Sequence, residues 1–200
     1  MNSLRERLKQ ETLPEHRRLE SQLNLLRDDF QLDDLKRLLE RFYGYYRPCE
    51  SESTAGLLLL ERLLAERRKT PLLVADLRHF GHDDASLAAL PQCRVTAANT
   101  TARVLGRWYV FEGSTLGGQL LTAHFQKRFH LTTDRGCSFF QPYGNRVGEM
   151  WRSYCRLIDE YSSPEVDDAA IDAARETFRS MSEWLRIERE GETPAEALAD

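Results

Sequence analysis

Residues 112–119 read Glu112-Gly113-Ser114-Thr115-Leu116-Gly117-Gly118-Gln119, and they place three glycines in a stretch that otherwise has the character of a long helix. Each glycine in a helix interior costs about 1 kcal/mol relative to alanine. Such a cluster either ends a helix or leaves bare backbone that a flat ligand can approach closely. The second alternative implies a ligand, so these glycines mark a candidate binding site.

The composition is that of a single globular domain without a membrane segment. The chain has 200 residues, of which 41% are hydrophobic and 30% charged, with a net charge of −4. Its longest apolar run, residues 56–60, is far shorter than the roughly 20 residues that a membrane helix needs. The N-terminus resembles neither a signal nor a transit peptide. We therefore expect a cytoplasmic protein that contacts neither membrane nor nucleic acid, with four reduced cysteines.

The spacing of apolar residues predicts helices throughout the chain and no strand. Pro14 interrupts the first pattern, so we expect a break near residues 10–13 and a capping box formed by Thr12 and Glu15. Pro48 is expected to stop the next helix, and Ser163 to cap the last one. The helix after the break is predicted to end near residue 27. Further helices are predicted at residues 32–46, 53–68, 71–79, 96–129, 144–161 and 164–189, with a short turn at 86–90. The fold class is all-α, a single domain over residues 1–189 followed by a frayed tail at 190–200.

His16 is the most informative histidine because it shares a helix face with Leu19 and Leu23. Glu20, four residues on, can reach the imidazole and fix its tautomer, as the histidine ligands of metals usually require. No second histidine or cysteine stands at helical spacing from His16, so the zinc and di-iron patterns are absent. A lone histidine can still supply one axial bond to iron held in a macrocycle. The alternative is a core histidine beside a solvated or ion-paired glutamate.

Two segments of the sequence resemble the signatures of bacterial haem oxygenases, in the branch that includes enzymes associated with bacteriophytochromes. The first segment is LKQETLPEHRRLE at residues 8–20, and the second is YVFEGSTLGGQ at residues 109–119. The resemblance extends over residues 4–187. It implies a multi-helix bundle in which haem lies between a proximal N-terminal helix and a kinked distal helix.

The resemblance also implies an activity and its partners. The implied enzyme is a haem-degrading monooxygenase that opens the haem ring with O2 and electrons to biliverdin, CO and Fe2+, with haem as both substrate and cofactor. An external electron donor is implied, such as a ferredoxin or a reductase, and a bacteriophytochrome is the implied acceptor of biliverdin. Residues 1–158 carry a net charge of +5, which favours an acidic donor.

The resemblance assigns roles on both sides of the haem. His16 is implied as the iron ligand, and Glu20 as the carboxylate partner of its imidazole. Gly113 and Gly117 match the distal glycines whose backbone lies over the haem, and Gly118 belongs to the same kink.

Four further residues are implied at the edges of the site. Lys9 and Arg152 match cations that contact the haem propionates and so influence which meso carbon is attacked. Ser114 stands where many members of the family have an aspartate that organises distal water. Tyr43 matches a tyrosine that can join such a network, although core packing explains it equally well.

Two other functions remain open at this point. Because Ser114 replaces the aspartate, the chain could be a non-catalytic haem-binding or haem-delivery protein on the same fold. It could also be another enzyme on a related helical fold, such as a thiamin-degrading or quinone-cofactor enzyme. Neither of those enzymes requires His16 opposite a glycine-lined helix.

Overall fold

The computed structural model describes residues 3–52, 60, 62 and 64–186. Its helices are α1 (Leu4–Glu11), α2 (Leu13–Leu23), α3 (Leu32–Glu52), α4 (Thr70–His79), α5 (Asp84–Ala89), α6 (Thr101–Phe129), α7 (Val147–Tyr161) and α8 (Pro164–Trp184), with 3₁₀ turns at Ala65–Arg67 and Gly144–Arg146. No strand occurs in these ranges, so the all-α prediction is confirmed. Most of the helix predicted at 53–68, and the tail at 190–200, lie outside the described residues.

The break between α1 and α2 is confirmed, but the predicted capping box is wrong. Thr12 donates its hydroxyl to the carbonyl of Leu8 at 2.7 Å, so the hydroxyl completes α1 and does not cap α2. The helix α2 ends at Leu23 because Asn24 adopts a left-handed conformation with φ of 35°. Asparagine tolerates that conformation better than most residues. The end of α2 therefore falls earlier than the predicted residue 27.

Pro48 lies inside α3 and does not stop it, contrary to the sequence prediction. A proline lacks the N–H group that would bond to the carbonyl four residues earlier, which here belongs to Gly44. That carbonyl instead accepts a hydrogen bond from the backbone N–H of Cys93, at 2.8 Å. The helix can therefore continue past Pro48 without leaving the Gly44 carbonyl unpaired.

The last helix, α8, supports both of the helices that the sequence singled out. Its start is as predicted, since Ser163 caps it by accepting a hydrogen bond from the N–H of Val166. The long helix α6 packs against α8, and α1 and α2 pack against it as well. The crossing of α6 and α8 is close, because a Cβ at Gly106 would lie only 2.0 Å from the carbonyl oxygen of Ala170. The proximal segment (α1 and α2) and the distal helix (α6) therefore both pack on α8.

The glycines at 113, 117 and 118 lie within α6, which is helical from Thr101 to Phe129. They therefore do not end a helix. The remaining alternative from the sequence is that their bare backbone allows a flat ligand to approach closely. The loop after α6 returns to this helix at Phe140. Asp76 fixes that loop by accepting hydrogen bonds from Ser138 N, Ser138 Oγ and Phe139 N at 2.9, 2.6 and 2.8 Å.

Candidate haem site

The glycines of α6 fall into two structural classes. A Cβ at Gly118 would lie 1.8 Å from the carbonyl oxygen of Phe140, so this glycine, like Gly106, is required by packing. A Cβ at Gly117 would meet nothing within 4 Å, and one at Gly113 would only touch the Trp151 ring at 3.9 Å. Packing within the described residues therefore does not explain Gly113 and Gly117, while Phe140 alone accounts for the glycine at 118.

Exposed apolar side chains surround these two open glycines. Leu116 and Leu120 on α6 are 47% and 65% exposed. The other large apolar side chains exposed in the described ranges are Leu13 on α2 and Leu26 just after it. All four thus belong to the proximal segment or to the distal helix. Leu116 and Leu120 lie on the same face of α6 as Gly113 and Gly117, and exposed apolar side chains grouped in this way are a mark of a binding site.

A contact between Thr12 and Tyr109 relates the two helices to each other. The Tyr109 side chain hydrogen-bonds to Thr12, which connects the start of α2 to α6. His16 lies four residues after Thr12, and Gly113 lies four residues after Tyr109. Residues four apart share one face of a helix. His16 and Gly113 therefore each lie one turn, or about 6 Å along its own helix, from the same interhelical contact.

His16 is exposed and available to a ligand. Its side chain is 46% exposed, and its ring contacts Phe178 of α8 edge-on at a centroid distance of 5.7 Å. The carboxylate of Glu20 lies 3.5 Å from His16 Nε2. The expected proximity of Glu20 is therefore present. Iron ligation at Nε2 would require the imidazole to turn so that Nδ1 faces the carboxylate.

The two predicted propionate contacts lie on neighbouring helices. Lys9 is in the last turn of α1, Arg152 is on α7, and these two helices pack together. Both side chains are exposed. Neither one forms an ion pair with any described residue, which leaves two cations free to meet an anionic group.

Tyr46 is the tyrosine that the structure brings to Ser114. Burial raises the pKa of Tyr46 above its ordinary value, and a hydrogen bond with Ser114 opposes that shift in part. The Tyr46 phenol therefore stays protonated at neutral pH. Ser114 Oγ itself donates to the Phe111 carbonyl at 2.9 Å. Tyr43, the tyrosine expected from the sequence, is buried three residues earlier with the Arg47 guanidinium 5.8 Å from its ring.

Glu112 is the residue that the sequence analysis did not assign. It is fully buried, immediately before Gly113, and its carboxylate contacts Arg67 at 2.5 Å and Lys69 at 2.8 Å. The Tyr143 hydroxyl also donates to it, at 2.6 Å. A glutamate in an otherwise apolar helical stretch was the available signal, because such residues are almost never fully buried without partners.

Comparison with known families identifies the family of this chain. The model of the heme oxygenase family matches residues 2–187. The chain belongs to the haem oxygenase family. This match includes α1 to α8 and thus the open glycines of α6 as well as His16.

Solved structures show the same fold at low sequence identity. The haem oxygenase from Leptospira interrogans is similar with a TM-score of 0.75 and 19% identity, over 92% of this chain and 99% of that one. The NO- and CO-bound haem oxygenase from Neisseria meningitidis is similar with a TM-score of 0.64 and 20% identity, over 97% of this chain and 100% of that one. No curated protein matches the chain. Across the described residues no helix is long and apolar enough to cross a membrane.

Proposed function

We propose that this protein is a haem-degrading monooxygenase that converts haem to biliverdin, CO and Fe2+. The observation that carries the proposal is the open, glycine-lined face of α6. This face begins at Gly113, one turn from the contact between Tyr109 and Thr12, and His16 lies one turn from the same contact. Haem fits such a site, because a flat apolar ligand would cover Leu116 and Leu120 and meet bare backbone at Gly113 and Gly117. Haem supplies the iron at which O2 is activated and is itself the molecule oxidised.

The proposed roles on the proximal side follow from the side chains that are available there as metal ligands. His16 supplies the axial nitrogen, and Glu20 orients the imidazole. In the described ranges no three His, Cys, Asp or Glu side chains group closely enough to hold a metal ion by themselves. A single histidine suits iron that already has four porphyrin nitrogens. Lys9 and Arg152 would receive the propionates, fixing the rotation of haem and hence the meso carbon that is attacked.

The proposed proton source is the pair formed by Tyr46 and Ser114. A protonated, buried Tyr46 hydroxyl can donate to Ser114 Oγ, which lies at the exposed end of the pair, next to Gly113. Rotation of the serine hydroxyl would then pass a proton toward the haem face. In this arrangement the buried tyrosine holds a proton at neutral pH and the serine hydroxyl relays it, so an aspartate at position 114 is not required.

The physiological setting is part of the proposal. Electrons would come from a ferredoxin or a reductase, for which the basic part of the chain favours an acidic partner. Biliverdin could supply a bacteriophytochrome, and we place the reaction in the cytoplasm.

Turnover of hemin is the direct test. Purified protein mixed with hemin should give a Soret band of histidine-ligated haem. Addition of an electron donor under air should bleach this band and yield biliverdin, identified by chromatography, together with CO. A stable Soret band under turnover conditions would support a haem-delivery protein instead. Absence of haem binding would contradict the whole proposal.

Three neighbouring tyrosines of α3 allow a matched test of the proton source. Tyr46→Phe should slow biliverdin formation about 100-fold or more without changing hemin affinity, because proton-transfer groups contribute roughly 10²- to 10⁴-fold. Tyr45→Phe is the control, since the Tyr45 hydroxyl bonds to Thr177 and Ser180 of α8. Tyr43→Phe tests the tyrosine expected from sequence. Equal rates for Tyr46→Phe and wild type would remove Tyr46 from the mechanism.

A further inference from the structure

Glu112 lies at the centre of a buried charged cluster, which we define as Glu112, Arg67, Lys69 and Tyr143. Arg67 and Lys69 are 5% and 1% exposed, and Glu112 is 0% exposed. Lys69 Nζ donates to Tyr143 Oη at 2.6 Å and to Glu112 Oε1 at 2.8 Å, while Tyr143 Oη donates to the same carboxylate oxygen. The Glu112 carboxylate therefore receives three hydrogen bonds from three separate side chains.

The cluster joins parts of the chain that are distant in sequence. Arg67 comes from the 3₁₀ turn before α4, Glu112 from α6, and Tyr143 from the loop before α7. Glu50 of α3 completes the charge balance, because it accepts hydrogen bonds from the Lys69 and Thr70 N–H groups at 2.5 and 3.2 Å. Two carboxylates thus face two cations in the protein interior. Burial lowers the pKa of Lys69, and the Glu112 carboxylate raises it again.

Arg67 connects the buried charged cluster to the part of α7 that lies beside Gly113 in the proposed haem site. Its Nη1 donates to Glu112 at 2.5 Å and to the Met150 carbonyl at 3.1 Å, and its Nη2 donates to Ser153 Oγ at 2.5 Å. Met150 directly precedes Trp151, whose ring is the nearest neighbour of Gly113. One guanidinium therefore joins α7, at Met150 and Ser153 on either side of Trp151, to α6 at Glu112.

We propose that Glu112 is a positioning residue that, through Arg67, sets the distance of Gly113 and Ser114 from the haem face. The inference rests on the proposed function, since it concerns the same site. A buried ion pair is weak evidence for added stability, because desolvation offsets much of its attraction. Its directional bonds do fix where α6 lies along α7, at the point where the open face begins.

The test compares Glu112→Gln with Tyr154→Phe, both purified in full-length form. The glutamine keeps the shape of Glu112 but loses the charge that holds Arg67. Tyr154 is the matched control, because its buried hydroxyl also joins α7 to α6, donating to the Leu105 carbonyl at 2.6 Å. Leu105 lies about two turns from Gly113. Both variants are compared at a temperature at which thermal unfolding shows them folded.

Two measurements separate positioning from stability. In the ligand-free protein, amide hydrogen exchange at residues 113–117 should be about tenfold faster in Glu112→Gln than in wild type and unchanged in Tyr154→Phe. In the CO complex of ferrous haem, the C–O stretching band should shift or broaden in Glu112→Gln only. Biliverdin formation should then show a lower kcat at unchanged KM.

The outcomes distinguish this inference from the proposed function. Wild-type exchange rates and a wild-type CO band in Glu112→Gln would overturn the positioning role, even if haem turnover were normal. A wild-type protein that failed to bind hemin would overturn the proposed function, while the exchange measurement would still test the positioning role. If Glu112→Gln does not fold, Arg67→Lys serves instead, because lysine keeps the charge and loses the fork. The same changes are expected for it, and wild-type behaviour would contradict the role in the same way.

Discussion

His16→Ala should abolish the histidine-ligated Soret band of the hemin complex and reduce biliverdin formation more than 100-fold. Loss of a residue that merely orients a metal ligand costs about 10- to 100-fold in affinity or activity, so loss of the ligand itself should cost more. His16 is exposed and forms no buried hydrogen bond in the described structure. Alanine is also the best helix former, so the free energy of unfolding should stay within about 0.5 kcal/mol of wild type.

The control for this experiment is His130→Asn. His130 is likewise exposed, but it follows α6 in a left-handed conformation with φ of 57°, which asparagine tolerates. This variant should retain the wild-type Soret band. Added imidazole should restore that band in His16→Ala, because a small ligand can occupy the space left by the side chain. An unchanged Soret band in His16→Ala would instead place the iron on another donor.

The identities of the main elements could be read from the sequence because their signals are local. Ser163 followed by Pro164 predicts the start of α8 through the fixed φ of proline and a serine cap, and the structure has that start. Pro48 shows the limit of the same reasoning. Whether a proline stops a helix depends on the carbonyl four residues earlier, and here Cys93, distant in sequence, occupies that carbonyl. A long-range contact of this kind leaves no trace in the local pattern.

The candidate site shows the same division between local and long-range information. His16 and the open glycines follow from helical spacing and from motif resemblance. The tyrosine beside Ser114 does not follow, because Tyr43, Tyr45 and Tyr46 all lie within one turn of α3 and only the packing of α3 on α6 selects among them. Glu112 was quoted in the motif, yet its partners Arg67 and Tyr143 are 45 and 31 residues away. Burial of a charge becomes interpretable only when its counter-ions are known.

Gly117→Leu should produce the second large effect, a protein that is more stable without haem but binds haem poorly. A Cβ at Gly117 meets nothing within 4 Å, so a side chain there enters open space. Removing a glycine from a helix interior should raise the free energy of unfolding by about 0.5–1 kcal/mol. The leucine would occupy the space proposed for haem. Forced overpacking costs about 1–3 kcal/mol, or roughly 5- to 150-fold in Kd.

Gly118→Ala is the matched variant, because it changes the adjacent glycine with opposite consequences. Its Cβ would lie 1.8 Å from the Phe140 carbonyl, in a loop that Asp76 holds in place, so the backbone must move. We expect a loss of about 3 kcal/mol or more in the free energy of unfolding.

Chemical denaturation of both ligand-free variants and hemin titration of the folded one measure the two effects separately. If Gly117→Leu bound hemin as wild type does, the open face of α6 would not be the haem surface. Equal stabilities for the two variants would mean that α6 does not lie against the loop at Phe140. Two neighbouring glycines of one motif therefore report on different requirements, one on folding and the other on the ligand.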